Sequence, residues 1–240
     1  CIRDRYYVAF SLFLIAVYNL IVSKSKASFI IFATLSFISH SAILLLYPFI
    51  YLYYNTKSEK YIRKLILYSL ILVGILYFIL SIGAVFSIHF GSYFTKDLLS
   101  SILGGFFNNF IWFFWFLLIY KINKRIVKHN SSLVESDNKY QFLYKLSLYS
   151  IIFFPISIIL QIFAHRYIAA SLIVWLAFIF YSLDYEKSLK KRLESILLFA
   201  FLVLGTFIYM YILPTYLLGI SATDIVLKLF LSNKLIFFLI

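Results

Sequence analysis

The stretch RDRYYVAFSLFLIAVYNLIVSKSKASFIIFATLSFISHSAILLLYP, residues 3–48, decides how this chain is read. Arg3, Asp4 and Arg5 stand directly against an apolar run at 6–22. A short Lys24-Ser25-Lys26 break follows, then a second apolar segment interrupted at Ser39-His40-Ser41. His40 lies in the middle of a run, 27–54, that would otherwise cross a bilayer as one long helix. Ionisable groups are costly in or against hydrocarbon, so where they persist they mark function by default.

Working outward, hydrophobic residues make up 64% of the 240, charged residues 13%, and the mean hydropathy is +0.97. Soluble domains are only about half apolar, so the composition points to a membrane protein. Further apolar runs lie at 65–88, 102–120, 142–163, 167–183 and 196–213, with an apolar tail beyond Pro214 whose crossing the sequence leaves open. The expected fold class is all-α, a polytopic integral membrane protein of about seven to eight transmembrane helices with a broken or re-entrant segment near His40. No Gly/Pro-rich linker divides it, so residues 1–240 read as a single transmembrane domain. The first residues lead straight into a helix without an initiator Met, and the chain is expected to be a fragment of a longer protein, lacking earlier helices. A single cysteine, Cys1, excludes an internal disulfide or a cysteine metal cluster.

The net charge of +13 does not imply nucleic acid, because the basic residues fall in short clusters between apolar runs rather than on an aromatic-interleaved face. The clusters at 57–64, 121–145 and 187–192 are expected on the inner side. Between them, 87–100 holds only Lys96, and Arg166 is the one cation between the runs at 142–163 and 167–183. Lys24 and Lys26 also belong inside, yet a single crossing by 27–54 puts them outside. A re-entrant segment resolves the conflict: residues 29–38 run outward, the chain reverses near His40, and 42–54 returns. Arg3 and Arg5, His40, and His165-Arg166 would then converge on one outward cavity. The alternative, one long tilted helix, leaves His40 near mid-membrane and sets two lysines against the positive-inside rule.

These residues resemble the O-antigen polymerase (Wzy-type) family and its exopolysaccharide and capsule relatives, C-terminal portion. There an arginine heads a helix, a short basic turn follows, and a Phe-x-His-Ser break precedes a Leu/Pro-rich helix. Here the corresponding residues are Arg3 or Arg5, Lys24-Ser25-Lys26, and Phe37-Ile38-Ser39-His40-Ser41-Ala42-Ile43-Leu44 ending at Pro48. Arg166-Tyr167 matches a later outward arginine followed by an aromatic, whereas Arg-Asp-Arg-Tyr-Tyr departs from the commoner Arg-Gln or Arg-x-Gly. The resemblance implies joining of oligosaccharide repeat units carried on undecaprenyl pyrophosphate at the outer face of the bacterial cytoplasmic membrane. The implied partners are that lipid-linked oligosaccharide, membrane lipid and a chain-length regulator, with no nucleic acid and no cofactor.

Such a reaction needs cations where pyrophosphate charge develops, for which arginine's planar fork is suited. Arg3, Arg5 and Arg166 are the candidates, with His165 beside them. A base near neutrality suits the acceptor hydroxyl, and His40 is the candidate. No His/Cys/Asp/Glu spacing matches a metal site. Each residue also has a plainer reading: Arg3 and Arg5 as snorkelling side chains at a helix end, His40 as a backbone cap, Asn108 and Asn109 as interhelical hydrogen-bonders, and Trp112, Trp115 and Trp175 as interface or packing residues. Rival functions are a transporter or flippase for a lipid-linked or anionic substrate, another membrane glycosyl- or acyltransferase, and a non-catalytic subunit. A transporter should show an internal repeat, and none is evident between the halves.

Overall fold

The computed structural model describes residues 2–81, 102–159 and 167–209, and every element among them is helical. The first pair is α1 (Ile2–Ile21) and α2 (Lys26–Ser39). Lys24 turns the chain between them with φ of 58°, a left-handed conformation uncommon outside glycine. Ser25 then caps α2 by accepting from the Ser28 amide. The two helices are antiparallel, because Ser36 Oγ donates to the Ala9 carbonyl at 2.8 Å, far from the turn. A serine bonded to backbone in this way lets two helices approach closely in an apolar medium.

The segment 27–54 adopts the broken form. Helix α2 ends at His40, whose backbone is extended (φ −162°, ψ 113°). A 3₁₀ turn, Ser41–Leu46, leads to Tyr47, and Pro48 opens α3 (Pro48–Asn55) at the position where a missing N–H costs nothing. The chain folds back on itself. Tyr47 Oη donates to the Ala33 carbonyl at 3.3 Å, and Lys24 Nζ lies 6.0 Å from the centre of the Tyr54 ring. A continuous helix over the 30 steps from 24 to 54 would separate those residues by about 45 Å.

Helix breaks leave carbonyls without partners, and in hydrocarbon those must be satisfied by protein. Two tyrosines do so here. Tyr167 Oη donates to the Ala42 carbonyl at 2.9 Å and Tyr149 Oη to the Leu45 carbonyl at 3.1 Å. Both come from elements more than a hundred residues further on, so the turn is held by the fold and not by its own sequence.

The remaining helices of the first compact unit (Cys1–Leu189) are α4 (Ser58–Ser81), α5 (Ile102–Ser136), α6 (Asn138–Tyr149), α7 (Phe154–Ile159) and α8 (Leu172–Leu183). Helix α5 continues beyond the apolar run that ends at Tyr120, through the basic cluster and a kink at Asn130. Hydropathy marks only the part of a helix that meets lipid, and Lys and Arg extend it well in water. Between α6 and α7 the chain tightens to a 3₁₀ turn, Ser150–Phe153, ahead of Pro155, which has no N–H to donate back to Ile151. Together Asn138–Ile158 form the one described helical run long and apolar enough to cross a membrane alone. Arg5–Ile21, Lys26–Ser39 and Ala169–Leu183 are shorter apolar helices.

Polar side chains act as glue in this core. Asn109 is fully buried and exchanges two bonds with Ser157, donating to its carbonyl (3.1 Å) and accepting from its hydroxyl (3.0 Å). The interhelical role expected of Asn109 is thus the one observed. Trp115 and Trp175 stack at 5.6 Å with neither exposed, and Trp175 Nε1 donates to the Ser147 carbonyl. These tryptophans are packing residues.

The basic ends of the helices meet on one side. Lys145 Nζ donates to the carbonyls of Tyr53 (3.0 Å) and Thr56 (2.9 Å), closing the end of α3. Arg125 pairs with Glu186 at 2.6 Å, and Asn130 Nδ2 donates to the Tyr185 carbonyl. Asp137 caps α6 by accepting from the amides of Lys139 and Tyr140, and accepts from the hydroxyls of Tyr181 and Tyr185. Burial alone would raise the Asp137 carboxyl, but those four bonds outweigh it and hold it below its ordinary value.

The second compact unit, Lys190–Ile240, is described as far as residue 209 and consists of α9 (Leu189–Phe207). Lys190, Lys191 and Arg192 crowd its N-terminal turn, where the helix dipole disfavours cations. Their placement therefore does not serve helix stability.

Candidate active site

The antiparallel pairing of α1 and α2 decides where the suspect residues go. Ser36 bonds to Ala9; His40 lies four residues beyond Ser36, and Arg5 four residues before Ala9. Both offsets are about 6 Å along the axes, so Arg5 and His40 sit at one level of the hairpin. Arg5 is exposed and Arg3 stands in the first turn of α1, its side chain outside the described residues.

His40 is half-buried at the reversal. Its Nδ1 accepts from the Ala42 amide at 3.2 Å, so the capping role is realised. A neutral imidazole that accepts at Nδ1 carries its hydrogen on Nε2, assigned here from the bonding pattern. The ring meets the buried Tyr6 edge-on at 5.5 Å, and Tyr6 meets Tyr167 in the same manner at 5.6 Å. Tyr167 in turn stacks on Phe153 at 4.4 Å. The head of α1, the break after α2 and the segment that begins at Tyr167 therefore join in one aromatic junction. Each ring pair adds about 0.5–1.5 kcal/mol beyond its burial.

The sequence expectations for His165 and Arg166 lie outside the described residues, as does that for Lys96. The residue that follows Arg166 is nevertheless at the junction, with its hydroxyl on the Ala42 carbonyl. The backbone of Ala42 is thus held at both its polar groups, its N–H by His40 and its C=O by Tyr167. Sequence reasoning missed Tyr6, Tyr47, Tyr149 and Tyr167 as structural residues of the break. With 21 tyrosines in the chain no single one stood out, and only the aromatic after Arg166 carried a signal.

Among the described residues no group of three His, Cys, Asp or Glu side chains is placed to hold a metal ion. The chemistry available at the junction is that of an imidazole N–H and, on the helix beside it, arginine cations. Such a set suits an anionic group. No curated protein and no solved structure matches the chain. A family match covers residues 3–231, which takes in the arginine-headed helix, the broken segment and the junction. The chain therefore belongs to the EpsG family, an exopolysaccharide and O-antigen polymerase-like family of membrane proteins.

Proposed function

We propose that this protein polymerises oligosaccharide repeat units carried on undecaprenyl pyrophosphate, as a multi-pass enzyme of the bacterial cytoplasmic membrane with about seven to eight crossings. The basic ends of the helices face inward and the reversal at His40 faces outward. The observation that carries the reading is the junction itself, which holds a histidine at a helix break, level with the arginine-bearing head of α1 and linked through Tyr6 to the residue after Arg166.

In the reaction an acceptor sugar hydroxyl attacks the anomeric carbon of the lipid-linked donor. The bond from that carbon to the pyrophosphate oxygen breaks, and undecaprenyl pyrophosphate leaves with the electron pair. Arg3, Arg5 and Arg166 neutralise the departing pyrophosphate, with His165 beside them. His40 presents Nε2–H, which supports a donor role toward a pyrophosphate oxygen. The role of base would require the Ala42 amide to give up Nδ1. The hydroxyl proton passes to the departing pyrophosphate. A chain-length regulator acts on the assembled enzyme.

Polymer yield and length, measured at matched protein level, test this. His40→Ala and Arg166→Ala should abolish polymer, and His40→Gln, which keeps an N–H near the Nε2 position, should retain part of it. Full-length polymer from His40→Ala at normal yield would refute the assignment. Equal loss in the Gln and Ala variants would return His40 to the role of base.

A further inference from the structure

A groove of about 1390 Å³ runs between α4 and α5, with α6 and α7 behind it. Small-molecule sites are usually about 300–1,000 Å³, so this space is larger than a sugar or nucleotide needs. Its lining changes character along its length. At the end where α4 begins it is bordered by Lys57, Arg63, Lys124 and Lys145, with Glu135 as the one acid among the lining residues. Deeper along the helices the walls are Ile66, Leu70, Phe113, Phe116, Leu117 and Phe154.

The dimensions match one half of a bilayer. Ser58 to Leu70 is 12 residue steps of α4 and Phe113 to Lys124 is 11 steps of α5, about 18 and 17 Å along the axes. A leaflet contributes about 15 Å of hydrocarbon plus its headgroup layer. The side chains of Lys57, Arg63 and Lys124 are exposed, and none makes a hydrogen bond or ion pair with another described residue. Lys145 is committed to the Tyr53 and Thr56 carbonyls but adds its charge to the same end. A soluble anion would have no use for the aromatic and aliphatic walls, and a purely apolar partner helix would leave three cations unanswered. Charge and shape together ask for an anionic head on a long apolar tail.

We infer that this groove binds an anionic phospholipid of the inner leaflet, with its phosphate among Lys57, Arg63 and Lys124 and an acyl chain against Leu70, Phe113 and Phe116. The inference uses the inward orientation of the basic ends and is independent of the polymerase chemistry at the junction. The lipid would hold α4 and α5 at a fixed separation, since it contacts both and they are the two walls of the groove.

The test uses the full chain reconstituted in phosphatidylcholine vesicles containing chain-spin-labelled phosphatidylglycerol or, separately, spin-labelled phosphatidylcholine. The motionally restricted component of the spectrum reports lipid held by protein. The wild type should prefer phosphatidylglycerol several-fold, each cation near the headgroup being worth up to about five-fold. The triple variant Lys57→Gln/Arg63→Gln/Lys124→Gln should bring that preference close to one, and Leu117→Trp, which fills the groove without changing charge, should lower it as well. A control variant, Lys187→Gln/Lys190→Gln/Lys191→Gln, should leave it in place. No preference in the wild type, or equal loss in the control, would overturn the inference. Displacement of the label by polyprenyl monophosphate at concentrations where phosphatidylglycerol fails to compete would also overturn it, giving the groove to the carrier lipid.

Discussion

Tyr167→Phe removes one oxygen atom and leaves everything else at the junction in place. The ring keeps its stack on Phe153 and its edge contact with Tyr6, while the Ala42 carbonyl loses the donor that stood 2.9 Å away. A hydrogen bond of this kind contributes about 0.5–1.5 kcal/mol net, and the Ala42 carbonyl is only part-buried. Measured values inside membrane proteins are smaller, about 0.6 kcal/mol on average with a maximum near 1.7. The expected loss is therefore about 0.5–1.5 kcal/mol, a two- to thirteen-fold rise in the open form of the turn. Steric-trap or thermal unfolding in bilayer-mimetic discs would measure it. Tyr149→Phe should cost a similar amount through Leu45, and the double variant should cost less than the sum, since both bonds hold one turn. The exposed Tyr51, changed to Phe, should shift stability by less than about 0.5 kcal/mol. A Tyr167→Phe protein within about 0.3 kcal/mol of the wild type would refute the idea that distant hydroxyls satisfy the break.

Asn109→Ala breaks two reciprocal bonds with Ser157 at a fully buried position and should cost about 1–3 kcal/mol in thermal unfolding. Lys145→Met keeps much of the side-chain volume but frees the Tyr53 and Thr56 carbonyls; stability should fall by about 1.5–3 kcal/mol, and a cysteine placed at Asn55 should label faster with a thiol reagent. Because the Asp137 carboxyl is held below its ordinary value, its folded-state acidity exceeds that of the unfolded chain. Its contribution is therefore complete above the unfolded carboxylate range, about pH 4, and disappears as pH falls through the lower folded value. Acid titration of the melting temperature should show this step, and Asp137→Asn should remove it while leaving the protein less stable near neutrality.

The membrane class was legible because hydropathy reports the solvent directly. So was the reversal, and for a physical reason: Lys24 and Lys26 cannot be inside if 27–54 is one crossing, and the hairpin removes that conflict. Helix ends were less legible. Helix α5 runs on to Ser136 through lysines that read as a loop, since charge ends a membrane span without ending a helix. Least visible were the partners of the break. Tyr149 and Tyr167 act on Leu45 and Ala42 from 104 and 125 residues away, and no local pattern specifies contacts of that range. For His40 the residue was legible but its bonding was not, because the choice of nitrogen that meets the Ala42 amide depends on the backbone of the turn.

The reversal at His40 underlies both the junction and the inward placement proposed for Lys24, and a distance tests it most directly. Spin labels at Lys24→Cys and Tyr54→Cys, in a Cys1→Ser background, should lie close together, because the native side chains are 6.0 Å apart, cation to ring centre. A double electron–electron resonance distance well below half of the roughly 45 Å expected for an unbroken helix is the result this account predicts. A distribution centred near 45 Å would contradict it, returning residues 27–54 to a single crossing and separating His40 from the arginine-bearing head of α1.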